Sequence, residues 1–468
     1  MDVETEGVCP PPSQLARDEP GMNVPAPKNT SSVETISGVN RSGAYIPRQM
    51  MSVVLPTTAV IMGDSLIYIV LPASISDFGL ESSFGVSAAV WIGLALSINR
   101  LIRLIGNSLA AATFNRFGFK TPFVIAVLLG GLTTLTYAFS KGAAILLVAR
   151  ALWGLSYSHL RLGAYLAAFE IGDSSNRGRL LGFFNAGSRT GSFIAVTAGA
   201  ALADSAGRGV AFTTLAAVGI IGVAIALTVP NFVIRRSTPT AVMPQTDTPA
   251  SSGLGERAWA VLVSPLPESA RAIRRRLLAI NYFRFGTAFA ANGLVIATIS
   301  PFLADLYGEK ATVFGVSIGI VTLAGFLVGI RWFGDLALSV PMGHLSDVWG
   351  RRRTVMVGTV LTLAALLVVA LATRPEVIVA ALPLLLITGS LLAVSLDASA
   401  GDAVPDEARA GSIGRYATWL DMGSALGPIA GLLIAEAFGF QAGFLVAAAL
   451  LVTGVIGYGL ATRNPAPA

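Results

Sequence analysis

Residues 343–353 read GHLSDVWGRRR, and they lie between two long apolar segments near 314–339 and 354–373. Each flanking segment is long enough to cross the hydrocarbon core of a bilayer as a helix, which takes about 20 residues. Within the connection, Gly343 allows close helix approach, and Asp347 near a helix end can pair with a basic residue or cap a neighbouring helix. The three arginines hold the connection on the cytoplasmic side of a membrane.

The composition of the 468-residue chain is that of a membrane protein. Hydrophobic residues make up 54% of it and charged residues only 12%, and 50 glycines are spread through the apolar stretches, where small residues let helices approach closely. The single cysteine, Cys9, lies in the polar N-terminal stretch. Its position excludes disulfide frameworks, cysteine metal sites and thiol catalysis within the membrane body.

Hydropathy predicts two sets of six helices separated by a polar stretch. The predicted helices fall near 51–73, 86–110, 121–140, 143–169, 178–203 and 209–231, and then near 277–303, 314–339, 354–373, 376–400, 411–436 and 440–461. The sequence therefore predicts an all-α membrane protein made of a disordered cytoplasmic tail (1–48), a six-helix half (49–231), a cytoplasmic linker (232–275), a second six-helix half (276–463) and a short tail (464–468).

The basic residues predict the orientation of the chain. With the N-terminus in the cytoplasm, twenty Lys and Arg fall in the tails and cytoplasmic loops, and four fall on the other side: Lys141, Arg208, Lys310 and Arg374. Because cytoplasmic loops carry an excess of Lys and Arg, we expect both termini and the linker to lie in the cytoplasm. We expect the membrane to be the inner (cytoplasmic) membrane of the cell. The net charge of +6 then reflects topology and contact with membrane lipid, and we expect no nucleic-acid partner.

The two halves repeat one another in sequence. A single offset of 232 residues aligns, without a gap, Gly118 with Gly350, Glu170 with Asp402, Arg177 with Arg409, Gly182 with Gly414, Gly191 with Gly423 and Gly207 with Gly439. Two like-oriented six-helix halves of this kind place the solute site near the membrane midplane, between the halves. The duplication therefore predicts a solute pathway through the centre of the bundle.

The opening stretch carries the resemblance to a known family. It matches the G-x3-D-x2-G-R-[KR] motif of the major facilitator superfamily through Gly343, Asp347, Gly350, Arg351 and Arg352. Over residues 49–463 the chain resembles members of that family. The resemblance implies a twelve-helix bundle in two pseudo-symmetric halves that moves a solute by alternating access, usually as a monomer. It also implies that the motif acts as a conformational latch.

Further motifs extend the resemblance. Glu170 with Arg177, and Asp402 with Arg409, share the spacing E/D-x6-R at the cytoplasmic ends of the fourth and tenth predicted helices, where family members form salt bridges that close the inner gate. Residues 150–154, RALWG, resemble the R-x3-G motif, which helps to couple the proton in proton-linked exporters.

Ionisable residues inside predicted helices point to the transport pathway, because each costs about 2.5–3.5 kcal/mol near the bilayer centre unless it faces a cavity or a partner. The eight arginines are Arg100, Arg103, Arg150, Arg161, Arg189, Arg284, Arg331 and Arg415, and the four carboxylates are Asp64, Asp335, Asp397 and Asp421. Pairing each carboxylate with one arginine leaves four arginines unmatched. This surplus favours an anionic solute.

Two interpretations of the arginines remain open. Arg100 and Arg331 occupy nearly equivalent depths in the second and eighth helices, so they can clamp a small anion, as in family members that carry anions. The alternative is internal ion pairing of Arg331 with Asp335, Arg100 with Asp421 and Arg284 with Asp397. On the fourth helix, Arg150, Tyr157 and Arg161 share one face, whereas His159 points the opposite way and is expected to pack within the N-terminal half. The candidate solute ligands are Arg100, Arg331, Arg150, Arg161, Arg189 and Tyr157.

Asp64 is the leading candidate for proton exchange. The first and seventh helices align with a slightly smaller offset, 228 residues, which superposes Asp77 on Asp305. With this offset Asp64 aligns with Asn292 in the seventh helix, so only one half carries a carboxylate at this position. The alternative is a structural aspartate that is capped or paired with an arginine. Arg150 and Asp421 complete the set of proton-coupling candidates.

The leading functional hypothesis is transport of a small organic, anionic solute, coupled to a proton or to a counter-solute. The alternative is proton-driven efflux of lipophilic drugs, and a non-transporting receptor or scaffold would leave the buried arginines and gate motifs unexplained. We predict no enzyme activity, no cofactor and no metal, because the sequence holds only two histidines and no phosphate-binding loop or catalytic triad spacing.

Overall fold

The computed structural model describes residues 46–80, 85–172, 176–232, 271–313, 316–403 and 406–463. Most of the predicted N-terminal tail and linker and all of the predicted C-terminal tail lie outside these residues, and so does the side chain of Arg409. The described chain forms twelve long helices, as expected where every backbone hydrogen bond must be made within the segment.

The first six helices form the N-terminal half. They are α1 (Arg48–Ala73), α2 (Ala88–Phe117), α3 (Lys120–Phe139), α4 (Ala143–Ile171), α5 and α6 (Arg208–Ala226). Helix α5 begins as Arg177–Ile194, continues through a π-helical segment at Ala195–Gly199 and ends as Ala200–Ala206. A short 3₁₀ turn, Ser76–Phe78, follows α1.

The last six helices form the C-terminal half. Helix α7 comprises Arg271–Thr287, a π-helical segment at Ala288–Leu294 and Val295–Tyr307. It is followed by α8 (Ile320–Trp349), α9 (Arg351–Leu371), α10 (Pro375–Asp402), α11 (Asp406–Phe438) and α12 (Phe440–Ala461). Eleven of the twelve helices are long and apolar enough to cross a membrane, and the twelfth is the interrupted α5.

The duplication is visible in the backbone. Gly118 and its counterpart Gly350 both adopt positive φ, 74° and 87°, and each joins two helices without a longer loop. Gly207 and its counterpart Gly439 do the same, with φ of 86° and 84°. Side chains other than glycine are strained at these angles, so the turns require glycine at the same places in both halves. The 232-residue offset therefore corresponds to a repeated fold.

Two predicted boundaries in the C-terminal half are wrong. The eighth helix was predicted to begin near residue 314, but Val316–Gly319 form strand β2, which pairs with strand β1 (Lys310–Val313) in an antiparallel hairpin in which Lys310 pairs with Gly319. This segment is rich in β-branched residues, which favour strands. The eighth helix also runs on to Trp349, so Gly343 and Asp347 are helical and Gly350 alone forms the connection.

The bundle has two ends. We call the end that carries residues 46, 232, 271 and 463 the linker end, and the other the far end. Close contacts join the halves between the bundle centre and the far end. A Cβ atom on Gly325 of α8 would lie 1.9 Å from the Val196 carbonyl oxygen of α5, and one on Gly93 of α2 would lie 2.8 Å from Ile429 Cα of α11. The α5–α8 and α2–α11 pairs therefore pack backbone against backbone across the two halves.

Candidate functional site

The N-terminal half buries an ion pair that the sequence left open. Arg150 of α4 is fully buried and pairs through Nη1 with Asp64 Oδ1 of α1, and its Nε donates to the Ala95 carbonyl oxygen at 2.8 Å. The Asn99 amide of α2 donates to the same Asp64 oxygen at 3.2 Å. Asp64 is therefore paired with an arginine, as in the alternative interpretation. The pair does not test whether Asp64 exchanges a proton during transport.

Tyr68 extends this cluster toward Arg100. Its hydroxyl donates to the Leu96 carbonyl oxygen at 3.0 Å, and Arg100 Nε donates to the Tyr68 hydroxyl at 3.3 Å. The guanidinium groups of Arg100 and Arg150 lie 5.6 Å and 5.2 Å from the centre of the Tyr68 ring. The sequence analysis missed Tyr68, although it stands one helical turn after Asp64 and so faces the same way.

Close packing of α4 on α2 holds the cluster together. Gly154, four residues after Arg150, leaves so little space that a Cβ atom there would lie 2.3 Å from the Asn99 carbonyl oxygen. The arginine and the glycine of the R-x3-G pattern therefore both contact α2. The glycine admits α2, and the arginine then reaches Ala95 one turn earlier along that helix.

In the C-terminal half, neutral groups hold Arg331. This residue of α8 is 6% exposed, and it donates through Nη1 to the Ala291 carbonyl oxygen at 2.7 Å and through Nη2 to Asn292 Oδ1. Both acceptors lie in the π-helical segment of α7. Its Nε is buried without a hydrogen-bond partner. The predicted pair of Arg331 with Asp335 is wrong, because Asp335 pairs with another arginine.

That arginine is Arg189 of α5, which lies 3.1 Å from Asp335 and 4.8 Å from the centre of the Trp332 ring. The pair joins the two halves near the centre of the bundle. The prediction for Arg284 is confirmed, since its Nε lies 3.3 Å from Asp397 Oδ1. The Tyr416 hydroxyl donates to the same carboxylate oxygen.

Asp421 of α11 faces arginines of the other half. It lies within electrostatic range of Arg100 and Arg161, but among the described residues it has no ion pair within 4 Å. The predicted Arg100–Asp421 ion pair is therefore not formed in this conformation. Tyr157 contacts Arg103, whose guanidinium lies 4.3 Å from its ring centre. The structure thus brings the predicted residues into one charged layer, and their roles in binding stay predictions.

His159 packs within the N-terminal half, as predicted. Its Nε2 lies 3.0 Å from Thr113 Oγ1, its Nδ1 lies 2.9 Å from the Leu155 carbonyl oxygen, and its ring contacts Phe114. It is a satisfied packing residue away from the charged layer.

The latch motif lies at the linker end and links three helices. Arg351 pairs with Asp347 of α8 at 2.5 Å and with Asp402 of α10 at 2.8 Å. Asp402 was predicted to pair with Arg409, whose side chain lies outside the described residues. In the N-terminal half, Arg177 donates to the Gly172 carbonyl oxygen at 3.1 Å and stacks on Phe169, and no ion pair with Glu170 is formed within the described chain. In this conformation Asp402 pairs with Arg351, whereas Glu170 and Arg177 form no pair with each other.

A contact at the far end was not predicted. Asp204 of α5 accepts hydrogen bonds at 2.6 Å from both the backbone N–H and the hydroxyl of Thr322, in the first turn of α8. A Cβ atom on Gly319 would lie 2.2 Å from the same carboxylate, so a larger residue there would have to displace the Asp204 side chain. Asp204 thus acts as a helix cap supplied by the other half.

Known proteins of similar sequence are membrane transporters. The human synaptic vesicular amine transporter is 25% identical over 316 residues, 58% of this chain and 58% of the relative. The probable vesicular acetylcholine transporter-B of Danio rerio is 30% identical over 172 residues, 36% of this chain and 35% of the relative. These matches span between about a third and somewhat over half of the relatives' length.

Solved structures share the fold. A bacterial homologue of the human lysosomal transporter Spinster, in an inward-facing and occupied conformation, matches with a TM-score of 0.68 and 16% identity over 90% of this chain and 98% of that one. The nucleoside transporter NupG matches with a TM-score of 0.66 and 14% identity over 90% of this chain and 100% of that one. The family model of the Major Facilitator Superfamily matches residues 55–332 and 316–468. With its twelve helices, duplicated halves and latch motif, the chain belongs to the Major Facilitator Superfamily.

Proposed function

We propose that this chain carries a small organic anion across a membrane, with the linker end in the cytoplasm and the anion held at the charged layer between Arg100 and Arg331. As a member of its family the chain is a multi-pass secondary transporter and not an enzyme. The anionic character of the solute, its coupling to a proton and the inner membrane as its location are our proposals.

The observation that carries the proposal is the state of Arg331. Three of the carboxylates in the layer, Asp64, Asp335 and Asp397, are each paired with another arginine. Arg331 is left with a carbonyl and an amide as partners and with a buried N–H that bonds to nothing in the described chain. A buried cation without a counter-charge is costly, and a guanidinium offers a planar fork that suits a carboxylate or phosphate. An anionic solute would supply the missing charge.

Arg100 supports the same proposal from the other half. Its polar partner is the neutral Tyr68 hydroxyl, and it is partly exposed whereas Arg150 is fully buried. Arg100 also lies within electrostatic range of Arg331. Two like charges that face one another across the halves repel, and an anion placed between them would bind both.

The contacts between the halves suggest how the cycle runs. In this conformation the halves are joined by Ser87 with Glu436 at 2.8 Å, by Asp204 with Thr322 and by Arg189 with Asp335. The first two contacts lie at the far end, and the Arg189–Asp335 pair lies at the charged layer. We propose that this is an inward-facing state and that opening at the far end breaks them while the linker end closes.

The test is thermal stabilisation of the detergent-purified protein by organic carboxylates, amines and lipophilic cations. A ligand at about 100 times its Kd stabilises a protein by about 2.7 kcal/mol. We expect carboxylates to raise the unfolding temperature of the wild type, and expect Arg100→Gln and Arg331→Gln to remove that increase. Arg374→Gln, an exposed arginine at the far end, is the matched control and should keep it. Equal stabilisation of all four proteins by carboxylates would refute the clamp.

A cationic solute is the second candidate. Two observations favour it: Asp421 has no ion pair within 4 Å in the described chain, and the relatives include transporters named for amines and acetylcholine. Stabilisation by amines or lipophilic cations alone, lost in Asp421→Asn, would support a cationic solute, which the drug-efflux hypothesis requires. Proton coupling through Asp64 is tested separately in liposomes, where transport by Asp64→Asn that still follows the pH gradient would exclude it.

A further inference from the structure

The two halves differ at one pair of equivalent positions in a way that changes their charge. In α1 the position is Asp64, and in α7 it is Asn292. Each side chain holds an arginine that also donates to a backbone carbonyl oxygen: Arg150 to Asp64 and Ala95, and Arg331 to Asn292 and Ala291. The arginines come from different helices, α4 and α8, and the carbonyl oxygen belongs to α2 in the first case and to α7 in the second. In both cases the side chain at this position accepts from a guanidinium, but the N-terminal acceptor carries a negative charge and the C-terminal acceptor carries none.

The surroundings of Asn292 fix its amide in place. Its Nδ2 donates to Ser424 Oγ of α11 at 3.4 Å, which leaves its Oδ1 directed at Arg331. Helices α7 and α11 approach closely here, because a Cβ atom on Gly293 would lie 2.6 Å from Gly427 Cα. The amide therefore bridges α8 and α11, and its two ends have different partners.

The charges nearest to Arg331 do not neutralise it. They are Asp335, Arg189, Arg284 and Arg100, and the one carboxylate among them is already paired with Arg189. Among the described side chains, Asn292 accepts a hydrogen bond from the guanidinium, and the centre of the Trp332 ring lies 5.3 Å from it. Whether this position holds an amide or a carboxylate therefore decides whether Arg331 has a free positive charge.

We infer that Asn292 is the positioning residue that sets the charge preference of the transporter, because it orients Arg331 for the solute without neutralising it. This inference rests on the proposed anion transport. It adds that Arg331, rather than Arg150 with its Asp64 partner, is the buried arginine left free to bind the charged group of the solute. A carboxylate at position 292 would form an ion pair with Arg331 in place of the solute, just as Asp64 pairs with Arg150.

The test compares carboxylates with their uncharged amides on the full-length protein. Benzoate with benzamide, nicotinate with nicotinamide and lactate with lactamide are the probes, and affinity is read from thermal stabilisation. For a pair whose acid binds the wild type, we expect Asn292→Asp to weaken the carboxylate by about tenfold or more, the range of a lost charge-assisted contact, and to change the amide by less than about twofold. Asn292→Leu, which has a similar size and no charge, should weaken both members of the pair alike.

Controls separate charge at this position from damage. Asn231→Asp adds the same charge after α6, outside the layer, and should leave the ratio of carboxylate to amide affinity unchanged. If Asn292→Asp is not monodisperse on size exclusion, Asn292→Glu provides the same charge on a longer side chain. An unchanged ratio in a folded carboxylate variant would overturn the inference while leaving anion transport intact. Failure of every carboxylate to bind the wild type would instead remove the proposed function, and the inference with it.

Discussion

The Asp64–Arg150 pair predicts a large and asymmetric response to mutation. Arg150 is completely buried, with 0% of its surface accessible. Its Nη2 already lacks a hydrogen-bond partner among the described residues. Of its two hydrogen-bond acceptors, Asp64 and the Ala95 carbonyl, Asp64→Ala would leave the guanidinium with the carbonyl. Removing one member of a buried ion pair costs about 3–5 kcal/mol. Because 1 kcal/mol shifts the midpoint of a 150–250-residue unit by about 2–4 °C, we expect a decrease of at least about 6 °C for the N-terminal half.

The double variant distinguishes an orphaned charge from simple loss of packing. Arg150→Met with Asp64→Ala removes both charges, and replacing a buried pair by apolar side chains is often neutral or stabilising. We therefore expect the double variant to be more stable than Asp64→Ala alone, measured by thermal unfolding of the purified proteins in one detergent. Single variants that lose less than about 0.5 kcal/mol each, with additive effects, would refute the claim that the pair is desolvated.

Three further predictions concern helix contacts. Gly154→Ala should lower the unfolding temperature by several degrees, because its Cβ would overlap the Asn99 carbonyl, whereas Gly178→Ala, with no atom within 4 Å, should be neutral by the same assay. Gly325→Ala should favour the conformation open at the far end, seen as faster labelling of a cysteine introduced there in a Cys9→Ser background, and unchanged labelling would count against close packing in this state. Arg351→Gln should slow transport in liposomes and leave solute-induced stabilisation intact, because it breaks contacts at the linker end and none at the charged layer.

The sequence was sufficient to predict the architecture because lipid leaves few options. Apolar length, basic loops and a constant offset are one-dimensional signals, and they correctly predicted the twelve helices and the repeat that Gly118 and Gly350 make visible. They failed where a helix continues through polar residues, as α8 does to Trp349, and where β-branched residues form a hairpin after Tyr307.

The partners of the charges were harder to predict. Arg331 and Asp335 stand one turn apart on α8, but such pairs contribute only about 0.2–0.5 kcal/mol, so contacts from other helices prevailed. Arg331 donates to Asn292, and Asp335 pairs with Arg189. Helical periodicity shows which way a side chain points, whereas its partner depends on which helix packs there. The Arg284–Asp397 pair was predicted as one of three internal ion pairs, and it is the one of the three that the structure confirms.

The Asp204 cap has a consequence for the balance between conformations. The groups it joins, a carboxylate and the first turn of α8, are exposed at the end of the bundle. When they separate, water can hydrate both, so little net hydrogen-bond energy is lost. A closure of this kind keeps the free-energy difference between the closed and open populations small. A solute then shifts those populations by its differential affinity of a few kcal/mol, without having to overcome a strong bond.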